Sequence, residues 1–163
     1  MVRPKVPTAR DIMTRSLTTL RPETPAAEAA AILVHRGISG APVVDEEGSL
    51  VGLLSEYDSL RAVAAAEYEG DDHDRIESVA DLMTRECLTV TPDLDLFGLV
   101  HEFLRRRVRR FPVLEGGRLI GQVSRRDALR AALALRRASA NERNYPDYPE
   151  GRQPIRDYPR RRR

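Results

Sequence analysis

Two short segments of the chain place a glycine, a hydroxyl and a carboxylate at the same spacing. Residues 52–58 read Gly-Leu-Leu-Ser-Glu-Tyr-Asp, and residues 121–127 read Gly-Gln-Val-Ser-Arg-Arg-Asp. In both, a short apolar run gives way to a helical pattern, so the hydroxyl and the carboxylate should lie where a strand ends and a helix begins. The N–H groups and the dipole at a helix start favour phosphate, and a carboxylate one turn later can accept both hydroxyls of a ribose. The two segments therefore predict two sites for a sugar and a phosphate.

A second interpretation of these segments needs no ligand. Ser-x-x-Asp before an apolar run is also typical of a capping box, in which Ser55 caps the helix and Asp58 reaches back to it. Such a cap contributes about 1 kcal/mol to stability. One copy alone would favour the cap, whereas two copies in matching surroundings favour ligand binding. The two interpretations are compatible, because a ligand can displace the cap.

The two segments belong to a duplication that covers most of the chain. Asp11-Ile-Met-Thr-Arg returns as Asp81-Leu-Met-Thr-Arg, a shift of 70 residues, and Pro42-Val meets Pro112-Val at the same shift. One residue is then lost in a predicted turn, and the match continues at a shift of 69 residues. A collinear match with one short gap indicates two copies of one structural unit.

Each copy predicts the same order of elements: a short helix, a strand, a helix, a two-stranded hairpin and a final helix. In the first copy, Leu17–Leu20 is the first strand, Thr24-Pro25 starts the central helix and Gly37 ends it. The fold class is therefore α/β (α+β), with two repeats. We assign residues 8–66 to repeat one, 67–75 to an acidic linker, 76–137 to repeat two and 138–163 to a disordered tail rich in Arg and Tyr-Pro.

Composition narrows the class of protein. Apolar residues make up 41% of the 163 residues, and no apolar run approaches the length of a membrane span. The first residues lack the apolar stretch of a signal peptide, and Cys87 is the only cysteine, so we expect a cytoplasmic protein without a disulfide. The histidines share no metal-ligand spacing, and no Ser/His/Asp set or phosphate-binding P-loop is evident. We therefore expect no catalysis, no metal site and no required cofactor.

The order of elements and the repeated residues together resemble a tandem pair of CBS domains, the module named after cystathionine beta-synthase. The resemblance covers roughly residues 8–136 and is carried by Asp11-Ile-Met-Thr, by the Pro42-Val and Pro112-Val strands and by the two Gly-x-x-Ser-x-x-Asp segments. It implies that the two repeats intertwine and pack by their sheets about a pseudo-two-fold axis. It also implies clefts for adenosine-containing ligands such as AMP, ADP, ATP, S-adenosylmethionine or NAD, and dimers of such pairs.

The resemblance also assigns roles to individual residues. The serines at the two junctions would contact phosphate or ribose, the aspartates would hold the ribose hydroxyls, an aliphatic side chain from each repeat would sandwich the adenine, and a threonine would add a hydroxyl. The ligand-binding residues expected on this basis are Thr19, Ile38, Pro42, Ser55 and Asp58 in the first site and Thr89, Val108, Arg110, Pro112, Ser124, Arg125 and Asp127 in the second.

The flanking charges predict that the two sites differ. Glu56 beside the first site would disfavour a polyphosphate, whereas Arg109, Arg110 and Arg125 beside the second would attract one. We therefore expect the second site to take the more phosphorylated ligand, and the first to take adenosine, S-adenosylmethionine or nothing. The alternative is that these arginines form a solvated surface or pair with the acidic linker.

The favoured function is a non-catalytic regulatory module that senses an adenine nucleotide or S-adenosylmethionine and acts, as a homodimer, on a protein effector. One alternative is a protein-interaction scaffold with empty clefts. Another is nucleic-acid binding through the tail, because residues 141–163 hold seven arginines. The same segment also holds four acidic residues, which makes nucleic acid the less favoured partner.

Overall fold

The structure is a computed structural model, and it describes residues 5–68 and 78–141. Most of the predicted acidic linker and tail lie outside these residues. The helices are α1 (Ala9–Ile12), α2 (Ala26–Arg36), α3 (Glu56–Tyr68), α4 (Val79–Leu82), α5 (Leu96–Arg106) and α6 (Arg125–Asn141), and the strands are β1 (Gly40–Val44), β2 (Leu50–Ser55), β3 (Arg110–Glu115) and β4 (Arg118–Ser124). Among the described residues, no helix is both long and apolar enough to cross a membrane.

Each repeat contains one antiparallel hairpin, β1–β2 in the first and β3–β4 in the second. The turn of the second hairpin uses Gly116 and Gly117, both at positive φ (57° and 82°), which suits the twist of paired strands. Gly48 takes φ 81° in the turn of the first. Predicted helices, hairpins and turns thus occur in the predicted order in both copies.

The predicted first strand of each repeat is reduced to one bridging residue. Leu20 N–H donates to the Pro42 carbonyl at 2.9 Å, and the Leu20 carbonyl accepts from Val44 N–H at 3.0 Å. The next bond of this parallel ladder would join the Thr18 carbonyl to the N–H of Pro42, and proline has none. Val90 makes the same pair of bonds, donating to the Pro112 carbonyl and accepting from Leu114 N–H. The proline that marks each repeat therefore also limits its first strand.

The two repeats exchange their first helical segments. Thr14 pairs with Gln122 of β4 through backbone bonds of 2.9 and 3.0 Å, and Thr84 pairs with Leu53 of β2 through two bonds of 2.9 Å. Helix α1 therefore lies against the second hairpin, and α4 lies against the first. Each packed unit combines one sequence repeat with the short helix of the other, so the repeats are intertwined as predicted.

Two hydrophobic cores follow this exchange. Ala9 and Met13 from the first helical segment pack with the buried residues of the second repeat, which include Phe103 and Phe111 with ring centroids 4.8 Å apart. The equivalent residues of the second segment pack with the buried residues of the first repeat. Neither core is complete without residues from both halves of the chain.

Helices α3 and α6 extend past the predicted boundaries of the repeats. Helix α3 reaches Tyr68, inside the range predicted for the linker, and α6 reaches Asn141, inside the range predicted for the tail. The added residues are Glu67 and Tyr68 in α3 and Ala138, Ser139, Ala140 and Asn141 in α6, and among them Ala and Glu are good helix formers.

Candidate functional site

Both Ser-x-x-Asp segments form complete capping boxes where a hairpin meets a helix. Ser55 is the last residue of β2, and its N–H and Oγ donate to Asp58 Oδ2 at 3.0 and 2.5 Å. Asp58 N–H in turn donates to Ser55 Oγ at 3.3 Å. Ser124 and Asp127 repeat these bonds at 2.9, 2.6 and 3.2 Å. The capping interpretation of the sequence is therefore present in the structure at both sites.

The boxes leave part of each site available for a ligand. The four side chains are only partly buried, and within each box the bonds to the carboxylate all use Oδ2. At the second site Asp127 Oδ1 lies 3.7 Å from Arg130 Nη1, whereas Asp58 makes no ion pair with any described residue. A ribose hydroxyl could take the place of the serine hydroxyl at either carboxylate.

The first N–H of each long helix is already bonded to the loop before the hairpin. Glu56 N–H donates to the Ser39 carbonyl at 3.2 Å, and Arg125 N–H donates to the Arg109 carbonyl at 3.1 Å. Fewer N–H groups at each helix start are therefore free to bind a phosphate than the sequence predicted. The same bonds bring the predicted adenine contacts Ile38 and Val108, one residue earlier in each loop, close to the junctions.

The glycine of each segment serves packing. A Cβ on Gly52 would lie 2.5 Å from Met83 Sδ, and a Cβ on Gly121 would lie 2.5 Å from Met13 Sδ. These methionines come from the exchanged helical segments. The sequence interpretation placed the glycine in the ligand cradle with the serine and the aspartate, whereas the structure shows it making room for the helical segment of the other repeat.

The other predicted contacts line the same hairpins. In the two hairpins, Gly40 lies opposite Ser55 and Arg110 lies opposite Ser124. The residues next to these pairs along the strands point into the cores. Pro42 and Pro112 lie two residues further along the same face, and both are buried. Thr19 and Thr89 are exposed and precede the bridging residues that bond beside these prolines. Apart from the Arg110 side chain, the contacts predicted for each site thus lie on or beside one hairpin, and their binding roles stay predictions.

Arg110 differs from its predicted placement. Its backbone belongs to β3, opposite Ser124, but its guanidinium donates to Ser39 Oγ at 2.7 Å and to the Gly40 carbonyl at 3.4 Å. The side chain therefore crosses to the first repeat, whereas the sequence assigned it to the second site. Arg125 is exposed and its side chain makes no hydrogen bond or ion pair with the described residues.

Gln122 is a candidate that the sequence interpretation missed. It lies two residues before Ser124 on the same face of β4, and its Oε1 is buried without a hydrogen-bond donor among the described residues. The equivalent residue of the first repeat is Leu53. The difference of Leu against Gln at matching positions of the two copies was the available signal.

Other groups considered from the sequence gain no role from their surroundings. Burial raises the pKa of the Cys87 thiol, so the thiol is protonated at neutral pH and is a weak nucleophile. The thiol donates to the Thr84 carbonyl at 3.4 Å. Within residues 5–68 and 78–141, no group of three or more His, Cys, Asp or Glu side chains is placed to hold a metal ion.

Comparisons with known proteins identify the same unit twice. The CBS domain model matches residues 9–65 and 79–134. An uncharacterized protein of Methanocaldococcus jannaschii is 31% identical over 121 residues, which is 74% of this chain and 41% of that protein. The chloroplastic CBS domain-containing protein CBSX2 of Arabidopsis thaliana is 29% identical over 159 residues, 82% of this chain and 67% of that protein. The chain thus spans less than half of the archaeal relative and about two thirds of the plant one.

Solved structures share the arrangement of both repeats. The crystal structure of CBSX2 in complex with AMP matches with a TM-score of 0.71 and 32% identity, covering 80% of this chain and 98% of that one. Another CBS domain pair, in complex with 5′-methylthioadenosine and S-adenosyl-L-methionine, matches with a TM-score of 0.63 and 26% identity over 76% of this chain and 97% of that one. The resemblance read from the repeated residues is confirmed, and the chain belongs to the CBS-domain family as a tandem pair.

Proposed function

We propose that this CBS pair is a non-catalytic regulatory module that binds an adenosine-containing ligand at the junctions of its two hairpins with α3 and α6. The observation that carries the proposal is the pair of matching Ser–Asp boxes, Ser55 with Asp58 and Ser124 with Asp127, each at the end of a hairpin strand. The AMP complex of CBSX2 and the S-adenosylmethionine complex of a second CBS pair support this class of ligand.

Binding would exchange the hydrogen bonds of each box for bonds to the ligand. A ribose diol presents two donors to a carboxylate that now accepts from a serine hydroxyl and an N–H. The displaced serine hydroxyl can then donate to a ribose or phosphate oxygen. Losing the cap costs about 1 kcal/mol, and bonds to a charged carboxylate offset this, since each contributes roughly 1.5–3 kcal/mol.

A regulatory output requires that ligand favours one arrangement of the repeats over another. The two hairpins are in direct contact, because Leu119 N–H donates to the Gly48 carbonyl at 3.2 Å and Arg110 bonds to the first repeat. A ligand seated beside this contact can change how the hairpins meet. The proposed reader of that change is a protein effector.

We also propose that two copies associate through α3 and α6. These helices expose large apolar side chains that the described chain leaves uncovered: Tyr57, Leu60 and Val63 on α3 and Leu129 and Leu133 on α6. The exposed fraction is 69% for Tyr57 and 66% for Leu60, high values for side chains that gain free energy by burial. A second copy would cover both helices by symmetry.

A thermal-shift panel tests the binding proposal. AMP, ADP, ATP, S-adenosylmethionine and NAD are each added to the wild type, Asp58→Ala and Asp127→Ala, with Asp93→Ala as a control carboxylate that is exposed and makes no side-chain bond to the described residues. Ligand at about 100 times Kd stabilises by about 2.7 kcal/mol, roughly 5–10 °C in Tm for a chain of this size. The shift produced by ligand is compared within each variant, because both Asp→Ala changes also remove a cap.

The panel also separates the proposal from its alternatives. A ligand-induced shift that is reduced by Asp58→Ala or Asp127→Ala but kept by Asp93→Ala supports the assigned sites. A shift that neither site variant reduces contradicts those sites. The absence of a shift with every ligand favours an interaction scaffold. The capping boxes also allow that function, because their hydrogen-bonding groups are paired with each other without a ligand.

A further inference from the structure

The Arg110 side chain joins the candidate site of one repeat to that of the other. Its Cα lies on β3 opposite Ser124, and its guanidinium bonds to Ser39 and Gly40 of the first repeat. Gly40 is the register partner of Ser55, and a Cβ built on Gly40 would lie 3.6 Å from Ser55 Cβ. The carbonyl of Ser39 also receives the first N–H of α3. The guanidinium therefore lies within one residue of the Ser55 junction.

The charge of Arg110 has no counter-ion in the described chain. The side chain is partly buried, both of its acceptors are neutral, and no described carboxylate lies within salt-bridge distance of it. These two bonds use only part of the donor capacity of a guanidinium. A partly desolvated cation without an anion is unfavourable unless a further partner arrives. Its remaining donors suit the paired oxygens of a phosphate.

The first repeat has no cation at the position equivalent to Arg110. Gly40 stands where the second repeat has Arg110. A Cβ at position 40 would lie 2.8 Å from the Leu54 carbonyl oxygen, too close for any side chain without backbone movement. The arrangement is therefore one-sided, with a single guanidinium held at the first junction.

We propose that Arg110, contributed by the second repeat, is the specificity-determining residue of the first site, where it receives the phosphate of a nucleoside monophosphate held by Ser55 and Asp58. This inference rests on the proposed function and names the ligand for one of its two sites. A monophosphate suits the single cation, because the Glu56 carboxylate at the start of α3 opposes the added charge of a polyphosphate. This proposal differs from the expectation that the first site takes adenosine, S-adenosylmethionine or nothing.

Calorimetric titrations with AMP and adenosine test the inference, since the two ligands differ only by the phosphate. Asp127→Ala isolates the first site and Asp58→Ala isolates the second. In the first-site background, Arg110→Gln should lower the ratio of AMP to adenosine affinity at least about tenfold, as expected for a lost charge-assisted bond. Arg110→Lys keeps the charge and should lower it less. Arg118→Gln, an exposed arginine at the other end of the same hairpin, should leave the ratio unchanged.

Each of the other possible results contradicts one part of the proposal for Arg110. A fall in the ratio only in the second-site background returns Arg110 to the second site, and an unchanged ratio in both backgrounds removes it from phosphate binding. ATP binding more tightly than AMP in the first-site background contradicts the monophosphate. If the wild type binds neither adenosine nor AMP, this inference fails, whereas the proposed function fails only if ADP, ATP, S-adenosylmethionine and NAD also do not bind. Far-ultraviolet circular dichroism verifies that each variant is folded.

Discussion

Met13 and Met83 occupy the space beside Gly121 and Gly52, and this contact links the candidate sites to the exchange of helical segments. A side chain at either glycine would compete with a methionine that is 8% exposed and packs in a core. The site residues Ser55 and Ser124 follow three positions later on the same strands. The position of each candidate site therefore depends on the helical segment of the other repeat.

Replacing these glycines should destabilise the two repeats unequally. At Gly52 the three nearest atoms to a new Cβ all belong to the flexible Met83 side chain, whereas at Gly121 the backbone oxygen of Thr14 also lies 3.0 Å away. We expect Gly121→Ala to lower the free energy of unfolding by about 1–3 kcal/mol and Gly52→Ala by less. Urea denaturation of the two variants measures this. Equal costs, or a larger cost at Gly52, would contradict the packing role given to Thr14.

At the residue scale, the sequence predicted the local contacts and missed the contact of the Arg110 side chain with the first repeat. Ser55 with Asp58 could be paired from spacing alone, because residues three apart meet at a helix start. Arg110 contacts a residue 71 positions away, so no local pattern reveals its direction. Its long side chain follows the packing of one hairpin on the other, which depends on the tertiary fold.

The short helices α1 and α4 are held by capping boxes of their own. Thr8 N–H and Oγ1 donate to Asp11 Oδ2 at 2.9 and 3.1 Å, and Ser78 donates in the same way to Asp81. Each helix is only four residues long, too short to be stable alone. The box and the bonds to the opposite repeat therefore fix its position together.

The capping box of α1 predicts a pH dependence of stability. Backbone and side-chain hydrogen bonds from Thr8 lower the pKa of Asp11 from its ordinary value of 3.8. Because the folded pKa is below the unfolded one, the stabilisation is fully present above pH 3.8 and is lost as the pH falls through the folded pKa. Asp11→Asn should therefore lower Tm near neutral pH, and its difference from the wild type should shrink in acid. A difference in Tm that stays constant down to about pH 2 would show that Asp11 does not act through its charge.

At the element scale, the helices and hairpins were predictable and the first strands were not. Periodicity and turn residues indicated α2 and both hairpins, because these signals act locally. The start of α2 was predicted one residue early, since its N-cap is Pro25 and not Thr24. The strand expected at Leu17–Leu20 depends on its partner, and the missing N–H of Pro42 prevents the ladder from continuing. A local pattern gives no information about the donors of a strand it pairs with.

The part of the molecule that the structure describes is one intertwined unit, and its helices α3 and α6 are among those that expose large apolar side chains. Each exchanged helical segment packs in the core of the other repeat, while α3 and α6 expose apolar residues to solvent. The duplication made the CBS pair recognisable from the sequence, and the matched residues and similar structures confirm it. Which faces remain exposed depends on how the two units pack, and the helical periodicity of α3 and α6 alone did not separate a core face from an interface.

Association of two copies should depend on the apolar residues of α3 and α6. Leu60 and Leu129 occupy equivalent positions and are 66% and 62% exposed, so a charge at either costs little in an isolated chain and much in an interface. Leu60→Glu combined with Leu129→Glu should convert a dimer into a monomer in sedimentation velocity. The control is Val34→Glu, on the exposed surface of α2, where the exposed fraction is 78%. A wild type that sediments as a monomer would contradict the proposed dimer directly.

The central claim is that the two Ser–Asp boxes are ligand sites as well as helix caps. Isothermal titration of AMP into the wild type and into the double variant Asp58→Asn and Asp127→Asn tests it most directly, because Asn preserves the size of the side chain and removes the carboxylate. We predict saturable binding to the wild type and a loss of at least about tenfold in affinity in the double variant, as expected for losing hydrogen bonds to a charged group. Equal affinity of the two proteins for AMP would show that the boxes are caps alone and would contradict the account.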